Sequence, residues 1–372
     1  MPLTRKAYRA AILHSIADPA EVGIEASYEY FEDGLLVIDN GQISALGHAS
    51  DLLPTLPADI DVTHYQDALI TPGLIDTHIH LPQTGMVGAY GEQLLDWLNT
   101  YTFPCESQFA DKAHAEEVAG IFIKELLRNG TTTALVFGSV HPQSVNAFFE
   151  AAEKLDLRMI AGKVMMDRNA PDYLTDTAES GYQESKALIE RWHGKGRLHY
   201  AVTPRFAPTS TPEQLALAGQ LLGEYPDLYM QTHISENKQE VEWVKALFPE
   251  RNGYLDVYDH YKLLGERSVF AHGVHLCDDE CARLAETGSA VAFCPTSNLF
   301  LGSGLFNLPM AEKHKLNVGL GTDVGGGTSF SLLQTLNEAY KVMQLQGARL
   351  SPFKSLYLAT LGLSLIHISE PT

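Results

Sequence analysis

The sequence predicts an α/β protein: a TIM (β/α)8 barrel carrying a small N-terminal β-sandwich layer. Three observations point there. From Leu69 onward, short apolar strands alternate with longer amphipathic segments, the rhythm that parallel strands with crossover helices require. The first 70 residues read instead as short strands broken by turn residues. No G-x-G-x-x-G follows the first strand of a βαβ unit, and Gly325-Gly326-Gly327 lacks the Lys-Ser/Thr of a phosphate loop, which sets aside a doubly wound nucleotide-binding sheet.

In the N-terminal part, residues 8–15, 27–31, 34–39 and 42–46 are strand-like, with Asp33-Gly34 and Asn40-Gly41 as hairpin turns. Barrel strands are expected at 70–81, 131–137, 158–166, 198–206, 228–234, 268–276, 290–297 and 317–323. Helices are expected at 113–128, 142–155, 182–192, 212–222, 238–248 and 278–286. The division that results is residues 1–68 for the β layer, 69–362 for the barrel and 363–372 for a tail.

The 372 residues carry 26 Lys+Arg against 46 Asp+Glu, a formal charge of −20. That balance argues against nucleic acid or an anionic membrane as partner, since both need a positive field. A neutral small molecule remains compatible. The four cysteines, Cys105, Cys277, Cys281 and Cys294, are too few and too scattered for a disulfide framework, so a reducing cytoplasm is expected. Arg5, Lys6 and Arg9 precede an apolar stretch that His14 cuts short, unlike a secretory signal. No apolar run approaches the ~18 residues of a spanning helix. Barrels often pair, and a homodimer is left open.

Polar residues gather at the C-terminal ends of the predicted strands, which in a barrel meet on one face. The first strand ends His78-Ile79-His80, and strand alternation puts both imidazoles on one side, able to share an ion. The fifth ends His233-Ile234-Ser235-Glu236, the sixth carries His272 and the eighth runs into Asp323. Three histidines with a carboxylate suit zinc, or next iron. Each has a plainer reading: His272 as a hydrogen-bonded core histidine, Glu236 as a first-turn helix carboxylate, Asp323 as cap of a helix starting near Ser329. Their joint occurrence at four strand ends favours a site.

At these residues the chain resembles the amidohydrolase superfamily and, more narrowly, its guanine deaminases. The matching stretches include Pro72-Gly73-Leu74-Ile75-Asp76-Thr77-His78-Ile79-His80, Gln83, Trp97-Leu98, Tyr101-Thr102-Phe103-Pro104, Pro204-Arg205-Phe206, His233-Ile234-Ser235-Glu236, Ala271-His272-Gly273 and Gly321-Thr322-Asp323. The HxH, HxxE and Thr-Asp elements are shared across superfamily deaminases and chlorohydrolases. Gln83, the Tyr-Thr-Phe-Pro stretch and Arg205-Phe206 point to guanine. The resemblance implies one zinc on His78, His80, His233 and Asp323, and hydrolysis of guanine to xanthine and ammonia. It implies Glu236, His272 and Asp323 as catalytic groups, with Gln83, Arg205, Phe206, His233, Glu236 and Asp323 around the substrate. Dinuclear relatives use a carboxylated Lys at the end of strand four, where this chain has Thr203-Pro204-Arg205-Phe206. Lys163 is expected to pack its stem. The alternatives are a sister enzyme acting on 8-oxoguanine, adenosine or a triazine, and an inactive purine-binding scaffold.

The resemblance runs from about Arg5 to about Leu361. Residues 363–372 do not share it and read like translated sequencing adapter. The family's chain continues further, so an exposed sheet edge is expected here.

Overall fold

The computed structural model describes residues 5–90 and 93–364. The tail expected at 363–372 lies outside them, apart from the backbone of a short helix, Leu361–Ser364. Among the described residues, no helix is long and apolar enough to cross a membrane.

The N-terminal part is one four-stranded mixed sheet of β1 (Arg5–Ser15), β2 (Tyr28–Asp39), β3 (Gln42–His48) and β4 (Val62–Ile70), in the order β3-β2-β1-β4. Asn40-Gly41 forms the expected hairpin turn, with positive φ at both residues, as a type I′ turn demands. The turn expected at Asp33-Gly34 is a correction: β2 runs straight through it. A register shift between Ala10 and Ile12 absorbs the irregularity, and a Cβ on Gly34 would lie 2.7 Å from the Ile12 side chain. The glycine thus permits close approach to a neighbouring strand. Ala7, Leu35, Val37 and Ala49 form the small core of this sheet.

The second sheet is parallel. Its strands are β5 (Leu74–His80), β6 (Thr131–Phe137), β7 (Arg158–Gly162), the two-residue β8 (Val164–Met165), β9 (Leu198–Pro204), β10 (Tyr229–Ile234), β11 (Ser268–His272), β12 (Ala290–Phe293) and β13 (Asn317–Leu320). Eight form a continuous path from β5 to β13, with β8 paired to β9 alone. The path closes where its ends meet. Thr77 Oγ1 donates to Leu320 O at 2.9 Å, Asp323 N to His78 O at 2.9 Å and His80 N to Val324 O at 2.9 Å.

Most strands stop short of the ends expected from sequence. The expected strand at 268–276, for example, ends at His272, because the polar residues beyond belong to loops at the barrel mouth. Ile75, Leu135, Ile160, Ala201, Tyr229, Val269 and Ala290 fill the interior, and a larger apolar layer joins strands to helices. Inside the barrel there is little spare room. A Cβ on Gly162 would fall 1.8 Å from Ala201 O and 2.1 Å from Thr203 Oγ1. Gly162→Ala is therefore expected to destabilise the chain by about 1–3 kcal/mol through overpacking, measured by chemical denaturation.

Candidate active site

The strand ends bring the expected polar residues into one buried mouth. In β5 the pleat turns Ile79 to the outer core and leaves His78 and His80 facing each other, their Nε2 atoms 3.2 Å apart. From β10, His233 Nε2 comes within 3.3 Å of His80 Nε2. Asp323, just beyond β13, places Oδ1 3.2 Å from His78 Nε2 and 3.3 Å from His80 Nε2. Four ligands about 2.0–2.1 Å from one ion, in a tetrahedron, lie roughly 3.3 Å from each other. His78, His80 and Asp323 therefore have the spacing of ligands sharing one ion, and His233 adjoins His80 at the same distance.

Protonation fits the same reading. Burial first, then the neighbouring histidines, holds His233 well below its ordinary pKa. Burial pushes His78 down to about 3, with Asp323 opposing. On Asp323 burial acts upward, but the hydrogen bond and charge of His78, with His80, keep the carboxyl well below the usual carboxylate range. His78 and His233 thus favour the neutral imidazole and Asp323 the carboxylate, the forms that bind metal. His233 Nδ1 donates to Arg205 O at 2.7 Å, which turns the Nε2 lone pair to the centre. Asp323 is anchored through its neighbour: Thr322 donates to Asp76 from its amide (3.0 Å) and its hydroxyl (2.5 Å).

Beside this set lie Glu236 and His272. Glu236 Oε2 is 3.4 Å from His272 Nε2, and Ser303 Oγ donates to Glu236 Oε1 at 3.2 Å. His272 Nδ1 donates to Asn298 Oδ1 at 2.9 Å, and its Nε2 stands 3.9 Å from Asp323 Oδ2. Burial pushes Glu236 up to about 7, a value suited to accepting and releasing a proton near neutrality. For His272 burial acts downward, yet the charges of Glu236 and Asp323 leave its pKa raised. The plainer readings of Glu236 and Asp323 do not hold. Asn237 caps helix Lys238–Leu247, and Ser331 caps Leu332–Leu345. Glu240 closes the first cap and also accepts from Glu236 N at 2.9 Å, fixing the backbone that carries Glu236.

Gln83, Arg205 and Phe206 line the same cavity, with His80, Leu94, Trp97, Leu98, His233, Glu236, His272, Leu301 and Asp323. Gln83 Oε1 accepts from Gly325 N at 3.0 Å, and its Nε2 donates to Glu106 at 3.0 Å. Arg205 Nη1 donates to the other oxygen of Glu106 at 2.6 Å. Glu106 escaped the sequence reading, as did Asn298 and Ser303. The one signal for Glu106 is an acid just after the Tyr-Thr-Phe-Pro stretch. That stretch is built around Pro104, which has no N–H to give. A π-type turn, Leu98–Thr102, precedes it, with Phe103 N donating to Leu98 O, before helix Phe103–Ser107 resumes. Lys163 is also corrected. Its ammonium lies fully buried, 2.6 Å from Asp176 and 3.3 Å from Glu184, so it forms an ion-pair network in addition to packing its stem.

An amidohydrolase family model matches residues 69–363. The chain is 59% identical over 362 residues to the guanine deaminase of Escherichia coli K12, spanning 96% of this chain and 82% of that one. The solved structure of E. coli guanine deaminase superposes with a TM-score of 0.95, covering 98% of this chain and 84% of that one. A guanine deaminase from C. acetobutylicum, solved with guanine in its active site, is 29% identical with a TM-score of 0.90 over 98% and 87% of the two chains. An adenosine deaminase of Xanthomonas campestris solved with bound zinc shares the fold, at 21% identity and a TM-score of 0.83 over 97% and 79%. If the four-atom cluster holds a cation, the purified protein carries about one equivalent of divalent metal, and His233→Ala keeps under about a tenth of it by elemental analysis.

Proposed function

The chain belongs to the amidohydrolase family and groups within it with the guanine deaminases; on that premise we propose that it hydrolyses guanine to xanthine and ammonia. One observation carries the reading: His80, His233 and Asp323 line one cavity together with Gln83, Arg205 and Phe206.

His78, His80, His233 and Asp323 would hold one ion, for which three imidazoles and a carboxylate favour zinc. An ion held this way lowers the pKa of a coordinated water to roughly 7. Glu236 takes the proton from the attacking water and passes it to a ring nitrogen, which makes the amine-bearing carbon electrophilic. Oxygen bonds to that carbon, the carbon–nitrogen bond breaks, and the second proton of the water leaves with the amine as ammonia. His272, oriented by Asn298, and Asp323 align the water.

Recognition falls to Gln83, Arg205 and Phe206. Arg205 carries donors only, so it reads a carbonyl oxygen and turns away an amino group at that position. Gln83 offers one N–H and one lone pair beyond its protein bonds, a match for a base edge. Phe206 walls the ring. The substrate is thus a neutral purine, and the four free cysteines accord with a reducing cytoplasm.

Incubation with guanine is expected to release xanthine and ammonia in equal amounts, followed by absorbance and an ammonia assay. Glu236→Gln should keep its metal and lose about 10²–10⁴-fold in kcat, the usual contribution of such a proton shuttle; turnover at the wild-type rate would remove it from that role. Arg205→Ala should lose about 1.5–3 kcal/mol in kcat/KM, the scale of a charged hydrogen bond.

A further inference from the structure

Glu106 belongs neither to the donor set nor to the proton path, yet it is fully buried and accepts a bond from each of the two polar side chains that face the base. Its Oε1 takes Gln83 Nε2 at 3.0 Å and its Oε2 takes Arg205 Nη1 at 2.6 Å. From the same short helix, the Phe103 ring lies beneath the Arg205 guanidinium, 5.4 Å from centroid to carbon. We propose that Glu106 is a positioning residue that sets which edge of the purine the site can read, by fixing the amide orientation of Gln83 and the aim of Arg205 through one carboxylate. This rests on the reading of the chain as a guanine deaminase.

The argument is one of donors and acceptors. An amide can sit either way round, with its oxygen and nitrogen exchanged. A carboxylate accepts only, so Glu106 compels Gln83 to present Nε2 to it and therefore Oε1 to Gly325 N, which donates at 3.0 Å. Both ends of the amide are thereby decided before any ligand arrives. One N–H and one lone pair of Gln83 remain for the base, in fixed order. Arg205 is held likewise. Its buried guanidinium is paired with Glu106, and the bond to Nη1 leaves the other guanidinium donors for a carbonyl oxygen. Pre-set geometry of this kind spares binding the entropy of ordering these two long side chains. Gln83 is 23 residues from Glu106 and Arg205 is 99 residues away, so the acid also ties the segment before it to strand end β9.

Glu106→Gln tests this with almost no change in volume. The new amide must turn its oxygen to the donor-only Arg205, which leaves its NH₂ opposite Gln83 Nε2, donor against donor. Gln83 then flips or drifts, and its edge no longer matches guanine. In the metal-loaded enzyme, KM for guanine should rise about 30- to 100-fold with kcat changed less than about threefold, because the lost contacts serve ground and transition states alike. Xanthine binding measured by calorimetry should weaken by a similar factor, and preference for guanine over adenine should narrow. Glu106→Asp, which keeps two acceptor oxygens on a shorter arm, should recover part of the loss and serves as the second variant should the first not fold. Guanine KM, xanthine affinity and guanine-over-adenine preference all within twofold of wild type, in folded variants with full metal content, would overturn the assignment. A wild-type enzyme that leaves guanine untouched would instead overturn the functional reading beneath it.

Discussion

His78, His80 and Asp323, their ligand atoms 3.2–3.3 Å apart in a buried mouth, with His233 3.3 Å from His80, are the constraint on which the rest depends. Nitrogen and oxygen atoms this close in a desolvated site need a shared proton or a cation between them. Burial disfavours the doubly protonated, cationic form of His78 and His233. The four donors come from strands at the two ends of the barrel path and from its middle. They meet because the path closes between β13 and β5, where Asp76 grips Thr322 and the backbones of His78 and Asp323 join. Closure of the barrel and assembly of the cluster are in this sense one event.

The part of the cavity around Gln83 and Arg205 is arranged by a different rule. There a buried carboxylate, Glu106, takes up the bonds that would otherwise leave Arg205 and Gln83 free to turn. Charge is balanced locally, Arg205 against Glu106 and His272 between Glu236 and Asp323. The two halves communicate through the carbonyl of Arg205, which accepts from His233 Nδ1. The backbone of Arg205 thereby orients His233 beside His80. Strained backbone accumulates at the same place: Ser235, His272 and Asp323 all have positive φ, conformations that persist only where surrounding contacts over-determine them.

The sequence announces the parts of this site that follow from local rules. His78 and His80 share a side because strands alternate, and His233, Glu236, His272 and Asp323 stand out because apolar strands end at or just before them. Long-range partners carry no local mark. Asp76 meets Thr322 across 246 residues and Glu106 meets Arg205 across 99, contacts that exist only once the barrel has closed. Local signals also mislead where packing overrides them. Asp33-Gly34 reads as a turn, yet the glycine serves a close strand contact with Ile12. Lys163 reads as a packed stem, yet its ammonium is buried against Asp176, a partner that the fold alone supplies.

The most direct test of the central claim is X-ray absorption spectroscopy of the purified enzyme at the zinc edge. The cluster predicts a single zinc with nitrogen and oxygen neighbours alone, about four or five of them at about 2.0–2.2 Å, with imidazole scattering and no second metal. A sulfur shell near about 2.3 Å, a metal–metal vector, or zinc held outside this mouth would contradict it.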